Sequence, residues 1–454
     1  MAVLRDPGQA SGPPPERGAG TPRPSTPMTD RDAGTARPER TRRRWRLRAF
    51  LGVLGPGVIA AAAGNDAGGI ATYSTVGADF GYSLLWAMVL VTVSLAIVQE
   101  MCARMGAATG KGLADLIREH LGIHWTAFIM LALLIANGAV TLSEFLGVAA
   151  AFELFGVPRW LGVPPVAFVV WWLVTKGSYK RVEKVFLALA LVFLAYPIAA
   201  LLADPNWGEV AAASVTPTVR LDVAWLGIFI TLVGTTISPY MQIYVQSSVA
   251  ERGVTMVDYP ATRLEVIAGV TFSCLIGYFI IVACGTQLFP RGISVDSAAE
   301  AALALEPLMG TAAKYLFGAG LFGACVLAGA VLPLSTAYSI CEAFGFERGV
   351  SRTFREAPVF HTIFSGMIAA SAVVAMVPGL PIIEVLLNIY LLNGLILPIL
   401  LVAIVQLVNN PAIMRQHTNG PLYNAVAWIT VAVVVVMSLA MLALTVLGWV
   451  GLVG

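Results

Sequence analysis

The stretch AAAAGNDAGGIATYS, Ala60 to Ser74, decides how this chain folds. It falls within an apolar run of the length that crosses a bilayer core, yet its centre carries an acid, an amide and three glycines. GNDAGG, Gly64 to Gly69, is rich in poor helix formers, so the helix is expected to unwind there. Unwound backbone at membrane depth is tolerated only where protein buries it or it lines a cavity. A carboxylate facing lipid is costly, so Asp66 is expected to face a polar site rather than to pair inside a merely kinked helix.

Working outward, many further apolar runs of about the same length follow, in a chain of 454 residues that is 58% hydrophobic and 12% charged. This composition predicts an all-α polytopic membrane protein. Apolar runs between polar breaks give eleven transmembrane helices, at about 50–78, 83–106, 124–153, 161–177, 181–203, 222–249, 261–287, 312–342, 359–378, 382–408 and 421–449. Residues 1–44, rich in Pro, Gly, Arg, Ser and Thr, read as a disordered tail that buries too little apolar surface to offset the entropy of ordering. The tail lacks the apolar core of a signal peptide, and residues 45–454 are expected to form a single transmembrane domain.

Charge fixes the expected orientation. With the N-terminus inside, cytoplasmic segments from Arg37 onward hold twenty Lys or Arg, while the outer side holds only Arg159, Arg220, Arg291 and Lys314. The N-terminus is therefore expected in the cytoplasm, with the chain in the cell membrane. The run RPERTRRRWRLR at 37–48 is explained by this orientation signal, and no nucleic-acid partner is expected. GAATGKGL at 106–113 lacks the spacing of a phosphate-binding loop and is read as a connection. The five cysteines form no CxxC pair and are assigned to packing.

The sixth span repeats the irregularity of the first. TTISPYMQ, Thr235 to Gln242, sets two threonines, a serine, a proline and a glutamine in an otherwise apolar helix. Pro239 removes an amide donor and clashes with the preceding turn. Interrupted helices five apart are what a five-plus-five inverted repeat produces, here about 50–203 and 222–408, with 421–449 an added helix. Such a pair marks a transporter's central site. Asp66 supplies a carboxylate, and the broken turns around Ala63 and Thr235 free carbonyl oxygens. An oxygen-lined, net negative site suits a hard cation such as Mg²⁺, Ca²⁺ or Mn²⁺.

Several stretches resemble the natural resistance-associated macrophage protein family of divalent-metal transporters. LGPGVIAAAAGNDAGGIAT is similar to its first helix, GYSLLWAMVL to its second, TGKGLADLIREHLG to the following cytoplasmic connection and SEFLGVAAAFEL to its third helix. The resemblance implies an inverted-repeat fold that imports divalent metals by alternating access. Family members usually carry DPGN in the first helix. Here Asp66 matches the Asp, Ala67 stands at the Pro and Gly69 at the Asn. The usual MPH of the sixth helix is replaced by Ser238, Pro239 and Tyr240, which removes the soft methionine ligand. This combination resembles the family's divergent magnesium-transporting branch, whose wider site lets the ion keep part of its water shell. Mg²⁺ dehydrates reluctantly, and Gly69 and Ser238 leave room for water. The alternatives are a weakened manganese site or a site for an organic solute.

The expected metal set is thus Asp66, Ala63, Gly69, Thr235 and Ser238, with Asn65, Tyr240 and Gln242 in support. Glu144 matches a family acid and either lines the aqueous path or bonds a neighbouring helix. Glu265 lines an inner vestibule or snorkels. Asn388 and Tyr390 fall where the family places a supporting polar residue, or they join helices. His120, His124, His361 and His417 all lie in connections or at helix ends, so no imidazole is expected to relay a proton at membrane depth. Loosely coupled or uncoupled transport of Mg²⁺ and Mn²⁺ is the favoured function, against a proton-coupled Mn²⁺ or Fe²⁺ transporter or an amino-acid symporter on the same architecture. HExxH and GxSxG are both missing, and an enzyme is not expected. No cofactor is called for beyond the transported ion.

Overall fold

Apolar runs bounded by glycines, prolines and capping side chains become helices, and no strand occurs among the described residues. The computed structural model describes residues 65–176, 195–305, 310, 313–350 and 352–449. The expected tail, Ala63 and the larger part of the fifth span lie outside them. In chain order the helices are α1 (Ala67–Phe80), α2 (Leu85–Thr109), α3 (Leu113–Leu121), α4 (Ile123–Leu154), α5 (Arg159–Lys176), α6 (Ala195–Leu202), α7 (Trp207–Val215) and α8 (Val223–Thr236). Then come α9 (Pro239–Glu251), α10 (Tyr259–Gln287), α11 (Ala313–Phe344), α12 (Pro358–Ala375), α13 (Ile382–Val408) and α14 (Pro421–Trp449), with one-turn helices between some of them.

Eight helices among the described residues are long and apolar enough to cross a membrane: α2, α4, the interrupted α8–α9 pair, α10, α11, α12, α13 and α14. Of the other three expected spans, the first and fifth are described only in their later parts, α1 and α6, and the fourth is α5, with Pro164 and Pro165 in its interior. Local chemistry sets the ends. Asp222 caps α8 by accepting from the Trp225 amide at 2.8 Å, and Gly110 ends α2 in the left-handed conformation at φ 65°.

Two connections depart from the reading of the sequence, one of them holding α7 between the fifth and sixth expected spans. The connection TGKGLADLIREHLG holds a nine-residue helix, α3, rather than a plain loop. Leu113, Leu116 and Ile117 recur on one face and are buried against the bundle, while Arg118, Glu119 and His120 are exposed.

The bundle has an apolar core and an apolar exterior, and a set of polar side chains is buried within that core. Leu131, Trp160, Phe168 and Leu439 are among the exposed large apolar side chains, while Asn65, Asp66, Glu144, Thr235, Ser238 and Gln242 are wholly buried. α1 packs against α10, α8, α13 and α4, and α8 against α13. Small residues allow these close crossings: a Cβ at Gly234 would lie 2.5 Å from the Gly394 amide, and one at Gly394 would lie 2.5 Å from the Ile230 carbonyl. α14 packs at the periphery with Ile429, Val436, Leu439 and Leu442 exposed, in keeping with a helix added outside a repeat.

Candidate functional site

The second interruption is present, and of the first stretch the described residues hold the later side, where Ala67, Gly68 and Gly69, expected to be unwound, already belong to the helix. α1 begins at Ala67, with Asp66 as its cap in an extended conformation (φ −74°, ψ −178°). Asp66 Oδ1 accepts from the Gly69 amide at 2.7 Å. The other helix breaks between Thr236 and Pro239, with Ile237 at φ −106°, ψ 55° and Ser238 at φ −64°, ψ 136°. Pro239 accounts for this second break. It has no amide hydrogen to give the Thr235 carbonyl four residues back, and its fixed φ suits the first turn of α9.

Side chains stitch the second break together. Ser238 Oγ lies 2.9 Å from the Gly234 carbonyl and 3.1 Å from that of Thr235. Asn393 of α13 donates to the Gly234 carbonyl at 2.9 Å and to Ser238 Oγ at 3.1 Å, and Gln242 donates to the Ser238 carbonyl at 3.4 Å. Each of these three amide and hydroxyl groups therefore spends its donor on the break. The oxygens Asn393 Oδ1, Gln242 Oε1 and Thr235 Oγ1 are buried without a hydrogen-bond partner among the described residues.

The first break shows the same pattern. Asn65 donates to Ser273 Oγ at 3.1 Å, while Asn65 Oδ1 and Asp66 Oδ2 are buried with no hydrogen-bond donor in range among the described residues. Buried acceptors are ordinarily satisfied, and these five oxygens beside α1 and the second break are left open to water or a cation. The breaks are joined through aromatic residues: Tyr240 and Tyr390 flank the Asp66 carboxylate, and the Tyr73 hydroxyl meets Thr236 Oγ1 at 3.1 Å. A Cβ at Gly68 would overlap the Tyr390 ring, so this glycine lets the ring settle on the first turn of α1.

Glu144 stands closer to the break than its sequence position alone suggests. Its Oε2 accepts from the Ala67 amide at 3.2 Å, and its Oε1 faces Ser143 Oγ at 3.2 Å and the Tyr390 hydroxyl at 3.5 Å. Gly147, one turn on, leaves space for Ala67 and Cys325. Two carboxylates thus meet the N-terminus of α1, where free amides and the helix dipole favour negative charge.

Two expected residues fall elsewhere. Asn388 is exposed, because two residues along α13 from Tyr390 is about 200° around the helix. The polar group of α13 at the site is Asn393, three residues beyond Tyr390 and beside Gly394, whose missing side chain lets the backbones meet. An asparagine next to a glycine in an apolar run was the signal available in the sequence. Glu265 is buried, but it is ion-paired with Arg252 at 3.3 Å beyond the far end of α9. Ala63 lies outside the described residues, and Gly69 contributes its amide to the cap. All five cysteines are free and buried.

The profile for natural resistance-associated macrophage protein-like chains matches residues 57–444. The chain belongs to this family. Its membership makes it a multi-pass membrane transporter and not an enzyme. Its fold is similar to that of the Eremococcus coleocola manganese transporter in complex with an aromatic bis-isothiourea substituted compound, with a TM-score of 0.70, 17% identity and 89% of each chain covered. It is also similar to Mhp1, a nucleobase-cation-symport-1 family transporter with bromovinylhydantoin bound (TM-score 0.54, 14% identity, 86% of this chain and 90% of that one). MhsT in complex with L-phenylalanine gives a TM-score of 0.54 at 15% identity over 86% of this chain and 97% of the other. Likeness at these identities shows the shared fold.

Proposed function

We propose that this family member carries Mg²⁺ and Mn²⁺ across the cell membrane by alternating access, with its N-terminus in the cytoplasm and without tight proton coupling. The observation that carries this reading is the set of five buried oxygens without a hydrogen-bond partner among the described residues, Asn65 Oδ1, Asp66 Oδ2, Thr235 Oγ1, Gln242 Oε1 and Asn393 Oδ1. All are hard ligands, and Asp66 brings the negative charge. The stranded end of α8 adds carbonyl dipoles, which favour a cation at a discontinuous helix. The manganese transporter of the same fold supports a divalent ion as cargo.

In this reading Asp66 binds the ion while its other oxygen keeps the cap on α1. Ser238, where the family's methionine would stand, offers only oxygen and little bulk, so a partly hydrated ion fits better than a stripped one. Among the described residues no group of three or more His, Cys, Asp or Glu side chains comes together. Few charged ligands and retained water are the usual manner of holding Mg²⁺. The membrane potential supplies about 2.3 kcal/mol per elementary charge per 100 mV, enough to drive a divalent cation inward.

Glu144 favours a second reading, proton-coupled transport, because a second buried carboxylate touches the same helix end as Asp66. The two readings separate in vesicles containing the purified protein. Saturable Mg²⁺ and Mn²⁺ uptake with no internal acidification is the expected result. Failure of both ions to enter, or uptake of amino acids in their place, would overturn the proposal.

A further inference from the structure

Away from the ion site, two cavities adjoin at the last turn of α3. One, of about 700 Å³, opens on the cation-rich side of the protein and is lined by Lys111, Glu119, His120, Arg415 and His417 among others. Its neighbour, of about 430 Å³, is lined by Leu121, Trp125, Phe128, Ile399 and Val402 between the start of α4 and the later half of α13. Glu119 and His120 line the first and Leu121 the second, so successive residues of one helix turn border a polar and an apolar chamber.

We propose that this paired cavity is a binding site for an anionic glycerophospholipid of the adjacent leaflet, with the headgroup phosphate among Lys111 and Arg415 and an acyl chain along Trp125 and Val402.

Charge and shape both point to that occupant. Lys111 pairs with Glu119 at 2.6 Å, with the His120 ring 4.0 Å from the same carboxylate, but this small cluster is open to solvent. The Arg415 side chain is exposed and makes no ion pair or hydrogen bond among the described residues, which leaves a free cation in the cavity. Its backbone sits at φ 51°, one of two non-glycine residues with positive φ among the described residues. Such a conformation is unfavourable for an L side chain, and strain of this kind collects at binding sites. Behind the turn, Arg104 grips the His417 carbonyl at 2.7 Å and that of Thr418 at 3.1 Å, and also reaches Asn419, so the turn is fastened to α2. Trp125 and Phe128 are 61% and 49% exposed on the apolar side, where a membrane protein meets acyl chains and where tryptophan prefers the headgroup boundary. A free phosphate would leave the apolar chamber unused, and a zwitterionic lipid brings a cation beside its phosphate that Lys111 and Arg415 repel. Basic pockets between helices beside the cytoplasmic leaflet suit anionic headgroups.

The test uses the full-length protein purified in detergent and offered equal amounts of phosphatidylglycerol and phosphatidylcholine, with retained lipid counted by native mass spectrometry. Wild type is expected to retain phosphatidylglycerol preferentially. Each cation beside an anionic headgroup is worth about fivefold in affinity, so Lys111→Gln with Arg415→Gln should weaken retention roughly thirtyfold. Val402→Trp fills the apolar chamber with the charges intact and should also lower retention, while Arg220→Gln on the other face should leave it unchanged. Size-exclusion elution establishes that each variant is folded. Equal retention of the two lipids by wild type, undiminished retention by the folded double variant, or displacement of the lipid by millimolar inorganic phosphate would overturn the proposal.

Discussion

Asp66→Asn separates the charge of the central carboxylate from its work as a helix cap. Asp66 Oδ1 caps α1 through the Gly69 amide at 2.7 Å, and asparagine caps as well as aspartate, so the ion-free variant should fold with unchanged or greater stability. Relief of a buried charge acts in the same direction. Ion binding should suffer instead. A divalent ion about 4 Å from the carboxylate charge, at an effective dielectric constant of about 20, gains about 8 kcal/mol of Coulomb energy. Lost hydration cancels the larger part. If a quarter to a third survives, the variant loses about 2–3 kcal/mol, roughly 30- to 160-fold in affinity. The assay is thermal unfolding in detergent with and without Mg²⁺ or Mn²⁺, paired with vesicle uptake. At an ion concentration of about 100 times the wild-type Kd, binding stabilises wild type by about 2.7 kcal/mol, whereas a roughly hundredfold weaker site gains about 0.4 kcal/mol. A folded Asp66→Asn protein with wild-type uptake and a wild-type thermal shift would refute the assignment of Asp66 to the ion.

Three further outcomes are expected. Ser238→Met with Gly69→Asn should favour Mn²⁺ or Cd²⁺ over Mg²⁺, since sulfur prefers softer ions and the added bulk crowds water; an unchanged Mg²⁺ to Mn²⁺ uptake ratio in the folded variant counts against this. Asn393→Ala removes the donor to the Gly234 carbonyl and Ser238 Oγ and should cost about 1–3 kcal/mol in chemical unfolding and slow uptake, while the exposed Asn388→Ala should do neither. With a pH-sensitive dye inside vesicles, metal entry should leave the interior pH steady, because Tyr240 occupies the usual histidine position and a phenol is neutral across physiological pH. Acidification that tracks metal entry and disappears in Glu144→Gln would establish a proton path through the second carboxylate.

Much of this protein is readable from sequence because a bilayer penalises polar groups wherever they lack a partner. Each wholly described span ends within about three residues of the edge of its apolar run, as hydropathy alone dictates. The start of α1 and the second break are equally local: Asp66 caps the helix through the Gly69 amide, even though Ala67, Gly68 and Gly69 are expected to unwind, and Pro239 by covalent structure gives no amide hydrogen to the Thr235 carbonyl. Asp66 follows, as the acid at a break. What the sequence left open is which side chains from other helices arrive there. Asn388 and Asn393 are indistinguishable by polarity, and their helical phase against α8 separates them, set by the Gly234–Gly394 approach. Glu144 had two readings until the crossing of α4 and α1 at Gly147 brought its carboxylate to the Ala67 amide. Glu265, just as acidic, is turned instead to Arg252. Short-range propensity and solvation act on each segment separately, whereas which side chains of α4, α8, α9 and α13 are buried beside the other helices depends on how closely helices distant in sequence pack, and only the tertiary structure contains that.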